Sequence, residues 1–320
     1  MLRQKLSPEG NIPAKYREIL LPFVACYRQA LGPLFQEQLP TLLLFLELIQ
    51  PHFSHPHLFP PYHQKIRHPF DYYSFGLDFI RPLIEERASK IYGEEHWGEV
   101  VRAVRAGENA ILLSNHQTES DPQAISILLE KKYADIAEKI IYVAGERVLT
   151  DPLAIPFSMG CDLLCIYSRR YIDTPPECRE QKLLHNRTTM EKMARLLGEG
   201  GKVIYVAPSG GRDRKNAAGK IEVAPFDPDS IALFHLMAKK GGVKTHFVPF
   251  ALSTHDLLPP PEAIQKELGE ARIAKRTPVF LSFAPPYPME VGGKEGREER
   301  AKEIWTIVKR MYEACPHSIT

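Results

Sequence analysis

No stretch of this 320-residue sequence is apolar for long enough to cross a bilayer. The best run, Leu39 to Leu46, contains Pro40 and stops at Glu47, far short of the roughly 20 residues that a spanning helix needs. An excess of one charge is also missing, since 41 Lys and Arg stand against 39 Asp and Glu for a formal net charge of +2. A dedicated nucleic-acid binder carries a strong basic surplus, so the balance argues against that class. Cysteine is scarce: Cys26, Cys161, Cys165, Cys178 and Cys315 are odd in number, and no Cys/His spacing resembles a zinc site. Cys161 and Cys165 flank an apolar run that reads as a buried strand, which suits core packing and a reducing compartment. The N-terminus lacks the apolar core of a secretory signal. There is no Gly-x-x-x-x-Gly-Lys-Ser/Thr loop and no complete Gly-x-Gly-x-x-Gly fingerprint, which argues against kinases and NAD-dependent dehydrogenases. No Gly-x-Ser-x-Gly elbow marks a nucleophilic serine either.

What the sequence does have is a change of rhythm. Residues 1–60 read as a small helical domain. Apolar residues recur at helical spacing from Pro13, with Gly32-Pro33 as a stop, and a second helix is expected over Pro40–Ile49. Pro51 to His63 holds four prolines and four histidines. The prolines break regular structure there, and the irregular histidine spacing favours a linker over a metal tract. Phe70 to Tyr92 reads as a long aromatic helix or helix pair.

From Gly107 onward, short apolar runs begin at Ala110, Ile140, Leu163, Val203, Phe247 and Val279. Amphipathic segments at Pro122–Lys132, Lys182–Leu197 and Ser230–Lys240 separate several of them, and Arg297–Cys315 closes the chain as a helix. Continuous apolar strands alternating with helices predict an α/β domain over residues 61–320. Its sheet should be mixed but mainly parallel, with helices on both faces. In such sheets the chemistry gathers at the carboxyl ends of the strands.

Two strand exits carry chemistry-bearing residues. The first is Ser114-Asn-His116-Gln-Thr-Glu-Ser-Asp121-Pro122. Five residues on one helix would set His116 and Asp121 about 140° apart, so they meet only where a loop bends into a helix. Asp121 is expected to cap that helix, with Pro122 as its first residue. A carboxylate on one ring nitrogen would fix the His116 tautomer and leave the other nitrogen free as a general base. The bland alternative is a helix cap beside a loop histidine.

The second exit is Ala207-Pro-Ser209-Gly210-Gly211-Arg212-Asp-Arg214. Its glycines permit close backbone approach, and its two arginines suit bidentate phosphate contact. A third exit, Tyr167-Ser-Arg169-Arg170-Tyr171, adds positive charge at the same edge. With a base but no adjacent nucleophile, the substrate is expected to supply the attacking group. No metal or other cofactor is required.

Asn115-His116-Gln-Thr-Glu-Ser-Asp121-Pro122 resembles the His-x4-Asp motif of glycerolipid acyltransferases. Val143 to Pro152, Pro156 to Gly160 and Ile204 to Arg214 resemble one branch, the soluble plastid-type glycerol-3-phosphate 1-O-acyltransferases that use acyl-acyl carrier protein. The resemblance runs from His63 through Phe226 and again over His255 to Pro261. It implies a helical bundle beside an α/β domain, with His116 as base for the 1-hydroxyl of glycerol 3-phosphate and Asp121 orienting it. Phosphate would be held by Arg212 and Arg214. The family's Lys-His pair falls at Arg170-Tyr171, where only Arg170 keeps the charge. Arg169, Ser209, Gly210 and Gly211 would support the site.

The partners implied are acyl-acyl carrier protein or acyl-CoA as donor and glycerol 3-phosphate as acceptor. No nucleic acid and no transmembrane segment are implied, and membrane contact would be transient. Lys131-Lys132 and Lys239-Lys240 are candidate docking pairs for an acidic carrier, although such pairs are more often solvated helix faces. Without a transit peptide, a bacterial cytoplasm is expected, with the plastid stroma as the alternative. A non-catalytic carrier- or phospholipid-binding protein, a hydrolase, and an enzyme acting on another acceptor such as 1-acylglycerol 3-phosphate are the competing readings.

Overall fold

The computed structural model describes residues 2–168, 172–261, 269–289 and 294–316. Eleven helices lie within these residues: α1 (Leu2–Lys5), α2 (Ala14–Leu31), α3 (Phe35–Leu48), α4 (Tyr72–Ile80), α5 (Glu94–Arg105), α6 (Asp121–Ala137), α7 (Glu146–Thr150), α8 (Ile155–Met159), α9 (Arg179–Glu199), α10 (Pro228–Gly241) and α11 (Lys294–Ala314). The strands are β1 (Tyr62–His63), β2 (Lys90–Tyr92), β3 (Asn109–Ser114), β4 (Ile140–Gly145), β5 (Asp162–Ile166), β6 (Val203–Val206), β7 (Arg214–Lys215), β8 (Ile221–Glu222), β9 (Thr245–Ser253) and β10 (Phe280–Phe283). Among the described residues, no helix is long and apolar enough to cross a membrane.

Eight strands form one sheet in the order β1-β5-β4-β6-β3-β9-β10-β2. The five inner strands β5, β4, β6, β3 and β9 run parallel, while β1 pairs antiparallel with β5 and β10 antiparallel with β9. Their apolar runs are continuous because both faces are covered. On β3, Ala110 and Leu112 face α5 and α6, whereas Ile111 and Leu113 face α9, α10 and α11. All four are fully buried, and each of the large ones contributes about 1.5–3 kcal/mol of transfer free energy. The expected mixed, mainly parallel sheet covered on both faces is what the chain forms.

The amino-terminal helices pack against α4 and α6. Phe23, Tyr27, Phe45 and Leu46 from α2 and α3 share one apolar cluster with Phe75 and Phe79 of α4, Ile127 of α6 and Leu153. The Tyr27 hydroxyl donates to the carbonyl of Phe79 (3.0 Å), so even the polar tip is satisfied inside.

Three local expectations change. The second helix begins at Phe35, five residues early, and carries Pro40 inside it. Pro40 is the sixth residue of this helix, beyond the four amides that lack an intrahelical acceptor, so it removes one hydrogen bond that the packing of Leu42, Phe45 and Leu46 offsets. The segment from Phe70 divides: α4 ends at Ile80, and Lys90–Tyr92 becomes an edge strand pairing parallel with β10. Pro82, in the short 3₁₀ turn Arg81–Leu83, prevents the helix from continuing. Between the segments expected to be helical lies α5, with Trp97, Val100, Val101 and Val104 as its buried stripe.

The proline-rich stretch ends on β1 at the sheet edge. There the rings of His57, Phe59 and His63 pack edge to face at 4.7–5.4 Å. Burial pushes the His57 and His63 imidazoles toward neutrality, which suits packing.

Candidate active site

Because β3, β4, β5, β6 and β9 run parallel, their carboxyl ends open on one edge, and the loops that follow them meet there. The loop after β3 is folded around a single carboxylate. Asp121 is the first residue of α6, not its cap, and Ser120 occupies the cap position. The Asp121 side chain turns back instead: Oδ2 accepts the Gln117 amide (2.9 Å) and Oδ1 the Thr118 amide (3.2 Å). Thr254 Oγ1, just beyond β9, donates to Oδ1 (2.6 Å). His116 Nδ1 lies 2.7 Å from Oδ2. An ionised carboxylate only accepts, so Nδ1 carries the ring proton and Nε2 keeps its lone pair. The Asp121 side chain is 1% exposed and that of His116 29%. The acid is therefore buried while the imidazole reaches the surface of the site.

A second buried carboxylate, Asp213, holds this loop from the other side. It accepts Asn115 Nδ2 (2.8 Å), Gln117 Nε2 (3.3 Å) and the Ala224 amide (3.0 Å). Its own amide donates to the His116 carbonyl (2.6 Å), which ties the β6 exit to the β3 exit. Asn115 also spans to β9 through both the amide and the carbonyl of Leu252, and Tyr205 on β6 donates to the Asn115 carbonyl (2.7 Å).

Burial pushes the Asp213 carboxyl up to about 6, against the pull of its three donors. A raised carboxyl contributes stability that is complete below its ordinary value of 3.8 and is lost as the pH climbs through about 6. The denaturant midpoint of wild type relative to Asp213→Asn should therefore fall between those values. A difference that stays flat with pH would remove Asp213 as the source.

The loops enclose a cavity of about 330 Å³. Its deep part is apolar, lined by Leu20, Phe23, Phe45, Phe79, Leu153, Phe157 and Leu163, so α2, α3 and α4 supply one wall and the sheet the other. Its polar end carries His116, Asp121, Glu119, Gly210, Gly211, Arg147, Arg212 and Arg272. Gly210 takes φ +66° in the turn after β6, which a side chain would strain. Cys161 also lines the cavity. Burial pushes its thiol up to about 12, and Cys165 likewise, so neither is a ready thiolate.

The expected site residues separate into three groups. His116, Asp121, Gly210, Gly211 and Arg212 come together around the cavity. Ser209 and Arg214 lie outside its lining: Ser209 Oγ donates to the Gly211 carbonyl (3.0 Å), and Arg214 Nη1 donates to the Pro261 carbonyl. The two arginines are held by different partners, Arg212 by the Glu270 carboxylate and Arg214 by the Pro261 carbonyl, so they do not form one clamp. Arg169, Arg170 and Tyr171 fall outside the described residues. Of the docking pairs, Lys131 and Lys132 are each engaged, with Glu86 (2.9 Å) and Glu94 (2.7 Å).

Sequence reasoning missed Asp213, Thr254, Glu119, Glu270 and Arg272. Asp213 and Glu119 sit inside the quoted motifs, where they read as spacers. The other three lie more than 130 residues from His116, and no local signal marks them.

A family model described as Acyltransferase matches residues 91–253, about half of the chain. The chain is 38% identical over 288 residues to the chloroplastic glycerol-3-phosphate acyltransferase of Cucurbita moschata, covering 88% of this chain and 64% of that one. It is 39% identical over 271 residues to the chloroplastic enzyme of Arabidopsis thaliana (82% and 59%), and 36% identical over 308 residues to that of Pisum sativum (95% and 67%). This chain thus spans roughly three fifths of the length of the relatives it matches. Among solved structures, the 1-acyl-sn-glycerophosphate acyltransferase PlsC of Thermotoga maritima aligns over 95% of this chain and 100% of its own, with a TM-score of 0.43 and 17% identity.

Proposed function

From a chain that belongs to the acyltransferase family, and within it to the chloroplastic glycerol-3-phosphate acyltransferases, we propose the transfer of an acyl group from a thioester to the sn-1 hydroxyl of glycerol 3-phosphate, giving 1-acylglycerol 3-phosphate. The observation that carries this reading is the His116–Asp121 pair at the polar end of a largely apolar cavity that Arg212 also lines.

In this reading Nε2 of His116 takes the proton of the acceptor hydroxyl as its oxygen attacks the thioester carbonyl. The tetrahedral intermediate collapses with rupture of the C–S bond, and the imidazolium returns its proton to the departing thiolate. Asp121 stabilises the imidazolium between those steps. A thioester is already activated, so a base, positioning and charge stabilisation suffice, with no covalent acyl-enzyme. The apolar part of the cavity receives the acyl chain, and the cationic rim receives the phosphate and so selects the hydroxyl that meets His116. We assign phosphate contact first to Arg212, with Arg214 and Arg170 as the further cations implied by the family.

The donor we favour is acyl-acyl carrier protein, with acyl-CoA as the alternative. The relatives' names place those proteins in chloroplasts, which supports the plastid alternative rather than a bacterial cytoplasm.

Purified protein given an acyl thioester should release thiol only when glycerol 3-phosphate is added. Equal release without acceptor would identify a hydrolase. Donor binding with no release would identify a binding protein, and release only with 1-acylglycerol 3-phosphate would identify the other acceptor.

A further inference from the structure

Arg212 is not held by the cavity alone. Its Nη2 donates to both carboxylate oxygens of Glu270 at 2.6 Å, and its Nη1 lies 3.8 Å from Oε1 of Glu119. Glu119 is the residue three past His116, in the same loop. Its carboxylate is taken mainly by Arg272, through Nε (2.9 Å) and Nη2 (3.2 Å). Arg272 Nη2 also reaches Asp151 Oδ2 (3.1 Å), and its Nη1 donates to the Glu270 carbonyl (2.8 Å). All three guanidinium nitrogens are therefore committed, on a side chain only 12% exposed.

The cluster holds two cations and three carboxylates, a formal charge of −1, at the place where a phosphate would dock. Burial disfavours the Arg272 charge, but Glu119 and Asp151 outweigh it and hold the guanidinium protonated. Without Arg272, Glu119 is left beside Arg212 (3.8 Å), which Glu270 already engages. The formal charge of the cluster would then be −2, and an incoming dianion would meet repulsion in a site with little water to screen it.

We propose that Arg272 is a positioning residue for acyl transfer: it draws Glu119 of the His116 loop away from Arg212 and so keeps Arg212 able to receive the acceptor's phosphate. The inference rests on the acceptor reading above. Arg272 touches neither the reacting atoms nor the phosphate. It acts through Glu119 and through the backbone of Glu270, and its effect falls on acceptor binding more than on the chemical step.

The test compares wild type, Arg272→Gln, Arg272→Lys and the double variant Arg272→Gln/Glu119→Gln. KM and kcat for glycerol 3-phosphate are read alongside the thermal shift that this ligand produces. Arg272→Gln should raise KM about tenfold or more while kcat changes by less than about threefold. Removing the Glu119 charge as well should return KM to within about threefold of wild type, because the competing carboxylate is gone. Loss of kcat with unchanged KM, or a double variant no better than the single one, would overturn the proposal. Arg272→Lys, which keeps the charge, should hold KM within about threefold of wild type. If Arg272→Gln does not accumulate as folded protein, Arg272→Met with and without Glu119→Gln is read by the criterion given for Arg272→Gln. Wild type decides the underlying reading separately: with no acceptor-dependent thiol release there, the acceptor assignment fails before any variant is compared.

Discussion

Replacing His116 by Ala is expected to lower acceptor-dependent thiol release by about 10²- to 10⁴-fold, the usual contribution of a positioned general base. Few other groups at the polar end of the cavity can take over. Arg147, Arg212 and Arg272 are donors only, and the Asp121 carboxylate is buried behind the imidazole with its oxygens already accepting. Glu119 is engaged by Arg272. The loop itself should survive, because the Gln117 and Thr118 amides and the Thr254 hydroxyl still hold Asp121. Glycerol 3-phosphate binding should likewise persist, since the rim cations are untouched. Steady-state rates with a thermal shift for the acceptor test both halves. A variant within tenfold of wild-type turnover would mean that His116 is not the base.

Asp121→Asn should cost about as much turnover, by a different route. Every partner of this carboxylate can donate to it, and three of them do so from fixed nitrogen positions: His116 Nδ1, the Gln117 amide and the Thr118 amide. Whichever way the new amide is turned, its NH₂ group faces donors. The Thr254 hydroxyl can rotate and His116 can shift its proton to Nε2, but the backbone amides can do neither. Accommodating the amide through His116 puts the proton on the nitrogen that has to act as base, so turnover falls about 10²- to 10⁴-fold. The mismatch inside the protein also costs about 1–3 kcal/mol of stability. Denaturant melts and kcat should therefore drop together in Asp121→Asn, whereas His116→Ala lowers kcat alone. Full stability in Asp121→Asn, or more than about a tenth of wild-type turnover, would contradict this account.

Much of the scaffold was legible because it rests on local rules. The apolar runs on β3, β4, β5, β6 and β9 read as strands since burial on both faces removes any alternation, and the helical stripes between them keep a 3.6-residue period. Pro40 and Pro82 show the limit of such rules: one sits inside a helix and the other ends one. The proline ring is the same in both, and the outcome depends on how far into the turn it falls and on what the neighbouring face packs against. The edge strands β1 and β2 were illegible for a related reason. At two and three residues they carry little pattern and exist because a partner strand lies beside them.

For the site, the sequence alone determined which residue types stand at the strand exits: an imidazole with a carboxylate five residues on, and glycines followed by arginines. Tertiary structure decided what each of them does. Asp121 looked like a helix cap and instead gathers four donors, one of them from Thr254, which β9 delivers from across the sheet. Arg212 and Arg214 looked like one clamp, yet only Arg212 lines the cavity, because Glu270 holds its guanidinium there while the Pro261 carbonyl holds that of Arg214. Glu270 and Arg272 carried no signal in the chain because their meaning is a distance to Arg212 and Glu119, and a distance between remote residues is set by how the whole chain packs.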